Sequence, residues 1–239
     1  MTTERNSRVV LITGATGGLG ASVVRAFTGE GARLVLTARR QQELEAIAEE
    51  AGLDADRVLI VTADATDPAA VERVVGAAHE RFGALDVVVH VSGGFKGGTP
   101  ASATDLETWN FMLGLNLTSA FLVARAVLPG MLDRGYGKLV FISSKGGRQP
   151  AANQAAYAAS KGGLEILVRD LAEETRARGV NVNAVAPSII DTPANRKANP
   201  DADYASWVRP ESLAGVIHFL ASDTARDIHG AIVPVYGNA

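Results

Sequence analysis

The stretch Val9-Val10-Leu11-Ile12-Thr13-Gly14-Ala15-Thr16-Gly17-Gly18-Leu19-Gly20 decides how this chain is read. Its first five residues form a nearly unbroken apolar run, which suits a strand buried on both faces. The glycines that follow permit a tight turn and close approach of a pyrophosphate to the backbone. Gly18–Gly29 then reads as a helix, whose N-terminal N–H groups and positive dipole end would face the anion. A glycine-rich run alone also marks ordinary turns. The strand before it and the helix after it are what point to a dinucleotide, held by Gly14, Thr16, Gly17, Gly18, Leu19 and Gly20.

Outward from this point the chain alternates short β-branched runs with longer helical segments. That pattern belongs to a parallel sheet covered on both faces. Strands are expected at Val9–Thr13, Arg33–Thr37, Val58–Thr62, Leu85–Val91, Lys138–Ser143, Val180–Val185 and Ala231–Val235. Helices are expected at Gln41–Ala51, from Asp67-Pro68 onward, and at Asp105–Leu132, Asn153–Arg178 and Pro210–Ser222. Asp67-Pro68 is an N-cap followed by proline at the first helical position. The expected fold is α/β: a doubly wound, seven-stranded parallel sheet of the Rossmann type, with residues 1–239 as one domain. Ser92–Thr104 and Ser188–Arg209 are the long irregular stretches, and loops of that length are usually functional.

Composition narrows the function. The 239 residues are 47% hydrophobic and 21% charged, with a net charge of −3. No basic stripe is present, so neither nucleic acid nor an anionic membrane is expected as a partner. There is no cysteine, which excludes disulfides, thiol nucleophiles and zinc-thiolate sites. The four histidines are scattered without ligand spacing, so no metal is expected. The polar N-terminus lacks a signal core, and no stretch approaches 18 apolar residues. A soluble cytoplasmic protein is the expectation.

The second strand ends Thr37-Ala38-Arg39-Arg40. In a dinucleotide fold this tip meets the adenosine ribose. A carboxylate there would bond the 2′-hydroxyl, whereas an arginine favours a 2′-phosphate. Ala38 followed by Arg39 and Arg40 favours NADP(H) over NAD(H), the rival reading being a merely solvated helix start. Further along, Tyr157 and Lys161 stand at i, i+4 and share a helix face. A phenol has a reference pKa of about 10, too high for easy proton transfer at neutral pH. A neighbouring ammonium would lower it. Taken alone, this spacing is common on helices.

It does not stand alone. Thr13-Gly14-x-x-x-Gly18-x-Gly20, then Asn116, Ser143-Ser144, Tyr157-x-x-x-Lys161 and Pro187 through Thr192, together resemble the short-chain dehydrogenase/reductase family over essentially the whole chain. The resemblance implies a catalytic set of Asn116, Ser144, Tyr157 and Lys161. Ser144 would bond the substrate oxygen, Tyr157 would act as general acid or base, and Lys161 would tune Tyr157 and hold the nicotinamide ribose. Asn116 would hold a water in the proton relay. It also implies Asp64 and Ala65 at the adenine, Gly93 near the adenine ribose, and Pro187, Ile190 and Thr192 at the nicotinamide. A homo-oligomer, a tetramer or a dimer, is implied through the long helices Asp105–Leu132 and Asn153–Arg178.

The chain departs from the family pattern in places. His90-Val91-Ser92-Gly93 stands where relatives carry Asn-Asn-Ala-Gly, and a buried structural role is favoured for His90. Pro187-Ser188 replaces Pro-Gly, and the C-terminus lacks Asp-Gly-Gly. Asp191–Lys197 and Asp201–Trp207 resemble a loop of quinonoid dihydropteridine reductases, which could equally be shared loop architecture. Phe95 and Lys96 either line the pocket mouth or sit on an exposed loop. The leading expectation is a carbonyl reductase or alcohol dehydrogenase. Its rivals are a 3-oxoacyl-thioester reductase, a dihydropteridine-type reductase, and a non-catalytic dinucleotide-binding protein.

Overall fold

A computed structural model describes residues 8–238. Seven parallel strands form one sheet: β1 (Val9–Thr13), β2 (Arg33–Ala38), β3 (Val58–Thr62), β4 (Val87–His90), β5 (Gly137–Ile142), β6 (Val180–Pro187) and β7 (Ile232–Val235). Their order is β3-β2-β1-β4-β5-β6-β7. The chain therefore reverses its direction of winding between β1 and β4, where Val10 pairs with Val87 and Thr13 with His90. A crevice opens at the carboxyl ends of strands on either side of such a reversal.

Alternation along β1 shows how the layers form. Val9 and Leu11 face one apolar cluster, shared with α3 (Pro68–Phe82), α5 (Ser119–Arg134) and α7 (Ala155–Thr175). Val10 and Ile12 face the other, shared with α1 (Gly20–Thr28), α2 (Gln41–Glu50) and α9 (Pro210–Leu220). Successive side chains of a strand point to opposite faces, so a strand covered on both sides is apolar throughout. Asp67 caps α3 as its sequence implied: its carboxylate accepts the Ala69 N–H at 3.0 Å, with Pro68 next.

Several boundaries differ from expectation, each for a local reason. Helix α1 starts at Gly20, because two tight turns precede it (Gly17 N–H to Gly14 O, Gly20 N–H to Gly17 O). Strand β4 is shorter than Leu85–Val91, although its bonding to β1 continues at both ends through Asp86 and Val91. The segment expected as one helix at 105–132 is α4 (Leu106–Leu113), a π turn at Gly114–Thr118, then α5. In that turn Ser119 N–H reaches back five residues to Gly114 O. Single π turns of this kind concentrate at functional sites. The loop at 188–209 contains α8 (Pro193–Ala198), capped by Thr192 with Pro193 at its first position. A four-residue helix, α6 (Lys145–Arg148), follows β5 and was not anticipated.

Helix Leu106–Arg134 has the length and apolarity of a membrane span, with a mean hydropathy of 1.7 in its most apolar window. The sequence reading found no such stretch. Half of that window is buried in the protein, against the sheet, α3 and α7, which accounts for its apolarity.

Candidate active site

Each candidate residue sits at or beside the carboxyl ends of the strands. Gly14 follows β1 with φ of 65°, and a β-carbon there would lie 2.7 Å from the Ser92 nitrogen. Only glycine suits both demands. Thr16, Gly17, Gly18 and Leu19 form the turns that lead into α1. Leu19 makes no side-chain cap bond and the first turn of α1 holds no acidic residue. Its N–H groups are thus uncommitted to side chains, unlike those of α3 and α8, as an anion site requires. A β-carbon on Gly18 would lie 2.6 Å from the Thr192 methyl, so the loop after β6 reaches across to this cradle.

The adenosine side is a small apolar cleft lined by Leu11, Thr13, Thr37, Ala63, Ala65, Val71, Val74, Ser92 and Val123. Asp64 stands at its rim and accepts Thr66 N–H at 2.9 Å and the Thr66 hydroxyl at 2.7 Å. Those bonds, then the nearby Arg39 cation, hold its carboxyl below the usual range. The two arginines part company. Arg39 is exposed and close enough to act on Asp64. Arg40 turns along α2 and pairs with Glu43 at 2.6 Å. These features fit a dinucleotide: a helix start without side-chain caps, a glycine-rich cradle, an apolar slot and a cation beside it.

On the other side of the crevice, α7 presents Tyr157 and Lys161. Lys161 is buried, donates to the Ile142 carbonyl at 2.7 Å, and is pushed down by burial to about 8. Burial raises the Tyr157 phenol, and a hydrogen bond with Ser144 opposes that rise. Ser144 caps α6, accepting Gly146 N–H at 3.1 Å. That bond occupies its oxygen and leaves its proton to donate. Asn116 rides on the π turn. Its Oδ1 accepts Gly94 N–H at 2.9 Å, and its Nδ2 donates to Gly94 O and to Ser160 Oγ, both at 3.0 Å. A β-carbon on Gly93 would lie 3.0 Å from Asn116 Oδ1 and 3.2 Å from Lys161 Nζ, which puts both groups against one glycine. Pro187 ends β6. The Ile190 carbonyl accepts Thr192 N–H at 2.9 Å and Asn195 Nδ2 at 2.8 Å.

Some contributors escaped the sequence reading. Gly146 and Gly147 let α6 lie on α7: β-carbons there would come within 3.2 Å of the Tyr157 ring and 3.0 Å of Lys161 backbone. The Gly-Gly pair after Ser144 was the available signal. Glu165, buried two turns beyond Tyr157, accepts from the Ser143 hydroxyl and from Arg148 Nε, both at 3.0 Å, and so ties β5 and α6 to α7. Phe95 stands edge-on to Tyr157 with centroids 4.9 Å apart, while Lys96 turns to Thr108. In the loop after β6, Arg196 grips Asp191 with two bonds of 2.5 and 2.8 Å and stacks on Tyr204, which packs on buried Trp207.

His90 is fully enclosed between strand and helix. Its Nδ1 lies 2.9 Å from Thr13 Oγ1 and its Nε2 3.1 Å from Ser119 Oγ. Burial, then the Lys161 charge, push it down to about 3, so the ring is neutral. The structural role favoured for it matches this placement.

Comparison with known proteins agrees with the geometry. The family profile described as short chain dehydrogenase matches residues 8–203. The chain is 30% identical over 238 residues to a 3-oxoacyl-acyl-carrier-protein reductase of Escherichia coli (strain K12), covering 96% of each. It is 32% identical over 241 residues to the D-threitol dehydrogenase of Mycolicibacterium smegmatis, covering 97% of this chain and 92% of that one. A solved short-chain type dehydrogenase/reductase from Mycobacterium ulcerans superposes with a TM-score of 0.91 at 27% identity, over 97% of this chain and 89% of that one. With a Rossmann-type sheet, a family profile that matches residues 8–203 and a likeness to such enzymes over nearly its full length, the chain belongs to the short-chain dehydrogenase family of nicotinamide-dependent oxidoreductases.

Proposed function

We propose that the protein is an NADP(H)-dependent carbonyl reductase or alcohol dehydrogenase acting on a small to medium substrate. The observation that carries this reading is the convergence of Ser144, Tyr157 and Lys161 beside the crevice, two of them hydrogen-bonded together and the third buried. When bound, the cofactor supplies or accepts the hydride. Tyr157 gives its phenolic proton to the carbonyl oxygen in reduction and takes it back in oxidation. Ser144 donates to the same oxygen and steadies the charge that develops there. Lys161 as a cation lowers the phenol's pKa and holds the nicotinamide ribose. Asn116 spends both amide protons on Gly94 O and Ser160 Oγ and accepts Gly94 N–H, so it serves the proton path by fixing the π turn beside Lys161. Pro187, Ile190 and Thr192 close over the nicotinamide, and Gly93 lets the chain pass close to the ribose.

Arg39 is the residue proposed to favour NADPH, Arg40 being engaged with Glu43. Titration with NADPH and NADH is expected to give a clear preference for NADPH. Arg39→Ala is expected to weaken NADPH binding by roughly 10- to 100-fold, as loss of a charged hydrogen bond implies, and to leave NADH unchanged. Equal affinities in the parent protein would reverse the cofactor assignment. A second reading, reduction of a 3-oxoacyl thioester, is favoured by the likeness to the Escherichia coli enzyme. Parallel assays on a ketone and an acetoacetyl thioester separate the two.

A second copy of the chain is the proposed protein partner. Leu106, Trp109, Phe111, Phe121 and Ile166 are exposed on α4, α5 and α7, the last of them 62% accessible. Large exposed apolar side chains on neighbouring helices mark association surfaces. Light scattering at micromolar concentration is expected to give a dimer or tetramer, and Ile166→Glu with Phe121→Glu to lower that mass. A monomeric parent protein would rule out this assembly.

A further inference from the structure

We propose that His90 is a positioning residue for the proton path: acting through Ser119, it fixes the Leu115 carbonyl and so sets the π turn that carries Asn116 beside Lys161. The catalytic half of this statement rests on the oxidoreductase reading above; the positional half does not.

The argument is one of proton counting. The Ser119 hydroxyl has a single proton and gives it to the Leu115 carbonyl at 2.7 Å. Towards His90 it can therefore only accept, so the proton of the neutral ring sits on Nε2. Nδ1 is then an acceptor and takes the Thr13 hydroxyl proton. The polar chain runs one way: Thr13 to His90, His90 to Ser119, Ser119 to Leu115. Thr13 is the last residue of β1 and directly precedes Gly14, while Leu115 lies within the π turn next to Asn116. His90 and Ser119 are both buried, so no water replaces either partner. A Ser hydroxyl that bonds the carbonyl four residues back bends a helix locally, and here that hydroxyl is itself fixed in place by His90. An imidazole suits this place because it presents an acceptor and a donor on opposite edges of one rigid ring.

The test is Ser119→Ala, which cuts the chain without touching any group proposed to meet cofactor or substrate. kcat is expected to fall roughly 10- to 100-fold, the scale of a misplaced catalytic geometry, with the NADPH dissociation constant within twofold of the parent. In Asn116→Ala the same change is expected to add nothing, because residues acting through one another are not additive. The readout independent of activity is the Gly94 amide, which donates to Asn116 Oδ1. In Ser119→Ala its nuclear magnetic resonance shift is expected to move and its hydrogen exchange to speed up. Should Ser119→Ala not fold, Ser119→Cys, which keeps the shape and weakens both bonds, takes its place. An unchanged kcat with an unmoved Gly94 amide overturns the proposal. So does a loss that multiplies with that of Asn116→Ala, since Ser119 would then act elsewhere. A moved Gly94 amide in a protein without turnover on any substrate would sink the oxidoreductase reading and leave the positional half intact.

Discussion

Tyr157→Phe is expected to lower turnover by roughly 10²- to 10⁴-fold, the usual worth of a general acid, which is about 3–5 kcal/mol of barrier. NADPH binding is expected to stay within twofold. The substitution removes one oxygen and keeps the ring that packs edge-on against Phe95 and beneath Gly146. Stability should therefore change little, and the kinetic loss can be read as chemistry. The pH profile supplies a companion check. Lys161 is held near 8 by burial. Above that pH it loses its charge, the phenol loses the cation that makes it a usable acid, and reduction is expected to slow as pH rises. The decisive comparison is kcat of parent and variant on the same ketone. Equal values on every accepted substrate would mean that another group delivers the proton.

Acidification is expected to destabilise the fold through His90. The native ring is pushed down to about 3 by burial, while an unfolded histidine titrates at about 6.5. Between those values the unfolded chain binds a proton that the folded chain refuses. Stability contributed by the neutral ring is therefore present above about pH 6.5 and is lost as pH falls towards 3. At pH 4 the loss amounts to about 3 kcal/mol, a large part of a typical total of about 5–15 kcal/mol. Lys161 strengthens the effect, because a second positive charge nearby would repel an imidazolium. Urea unfolding at pH 7 and pH 4 measures it. His90→Asn is expected to be less stable than the parent at pH 7 and to show a smaller drop on acidification. Equal drops in both proteins would mean that the native ring takes up a proton as readily as the unfolded one.

The layered sheet was legible because burial on both faces forces continuous apolar strands, as in Val9–Ile12 and Val87–Val89. The candidate site was legible through the resemblance that its motifs carry together, since the i, i+4 spacing of Tyr157 and Lys161 alone is common on helices. The structure brings Ser144 and Tyr157 into contact and buries Lys161. What stayed hidden depends on partners far away in the chain. The π turn lies inside an apolar stretch whose period is helical throughout. Its geometry goes with bonds from Asn116 to Gly94 and Ser160, the latter 44 positions away. The His90 partners stand 77 and 29 positions off. Arg40 looked as suited to a phosphate as Arg39 until its pairing with Glu43 was visible. Helix α8 is a different case. Thr192-Pro193 carries the same start signal as Asp67-Pro68, and a local rule would have found it.

The strand order has a kinetic consequence. Every pairing in the sheet joins segments distant along the chain, and β1 cannot meet β4 until two whole strand–helix units have been made between them. Such non-local parallel pairing closes large loops before any contact rewards them, so folding is slow and intermediates linger. Until β4 docks, β1 is paired to β2 on one side and open on the other, with apolar residues at all positions but Thr13. During synthesis the nascent chain thus passes through a stage in which this apolar strand is made and half paired, while the segment that will cover its open edge has yet to emerge.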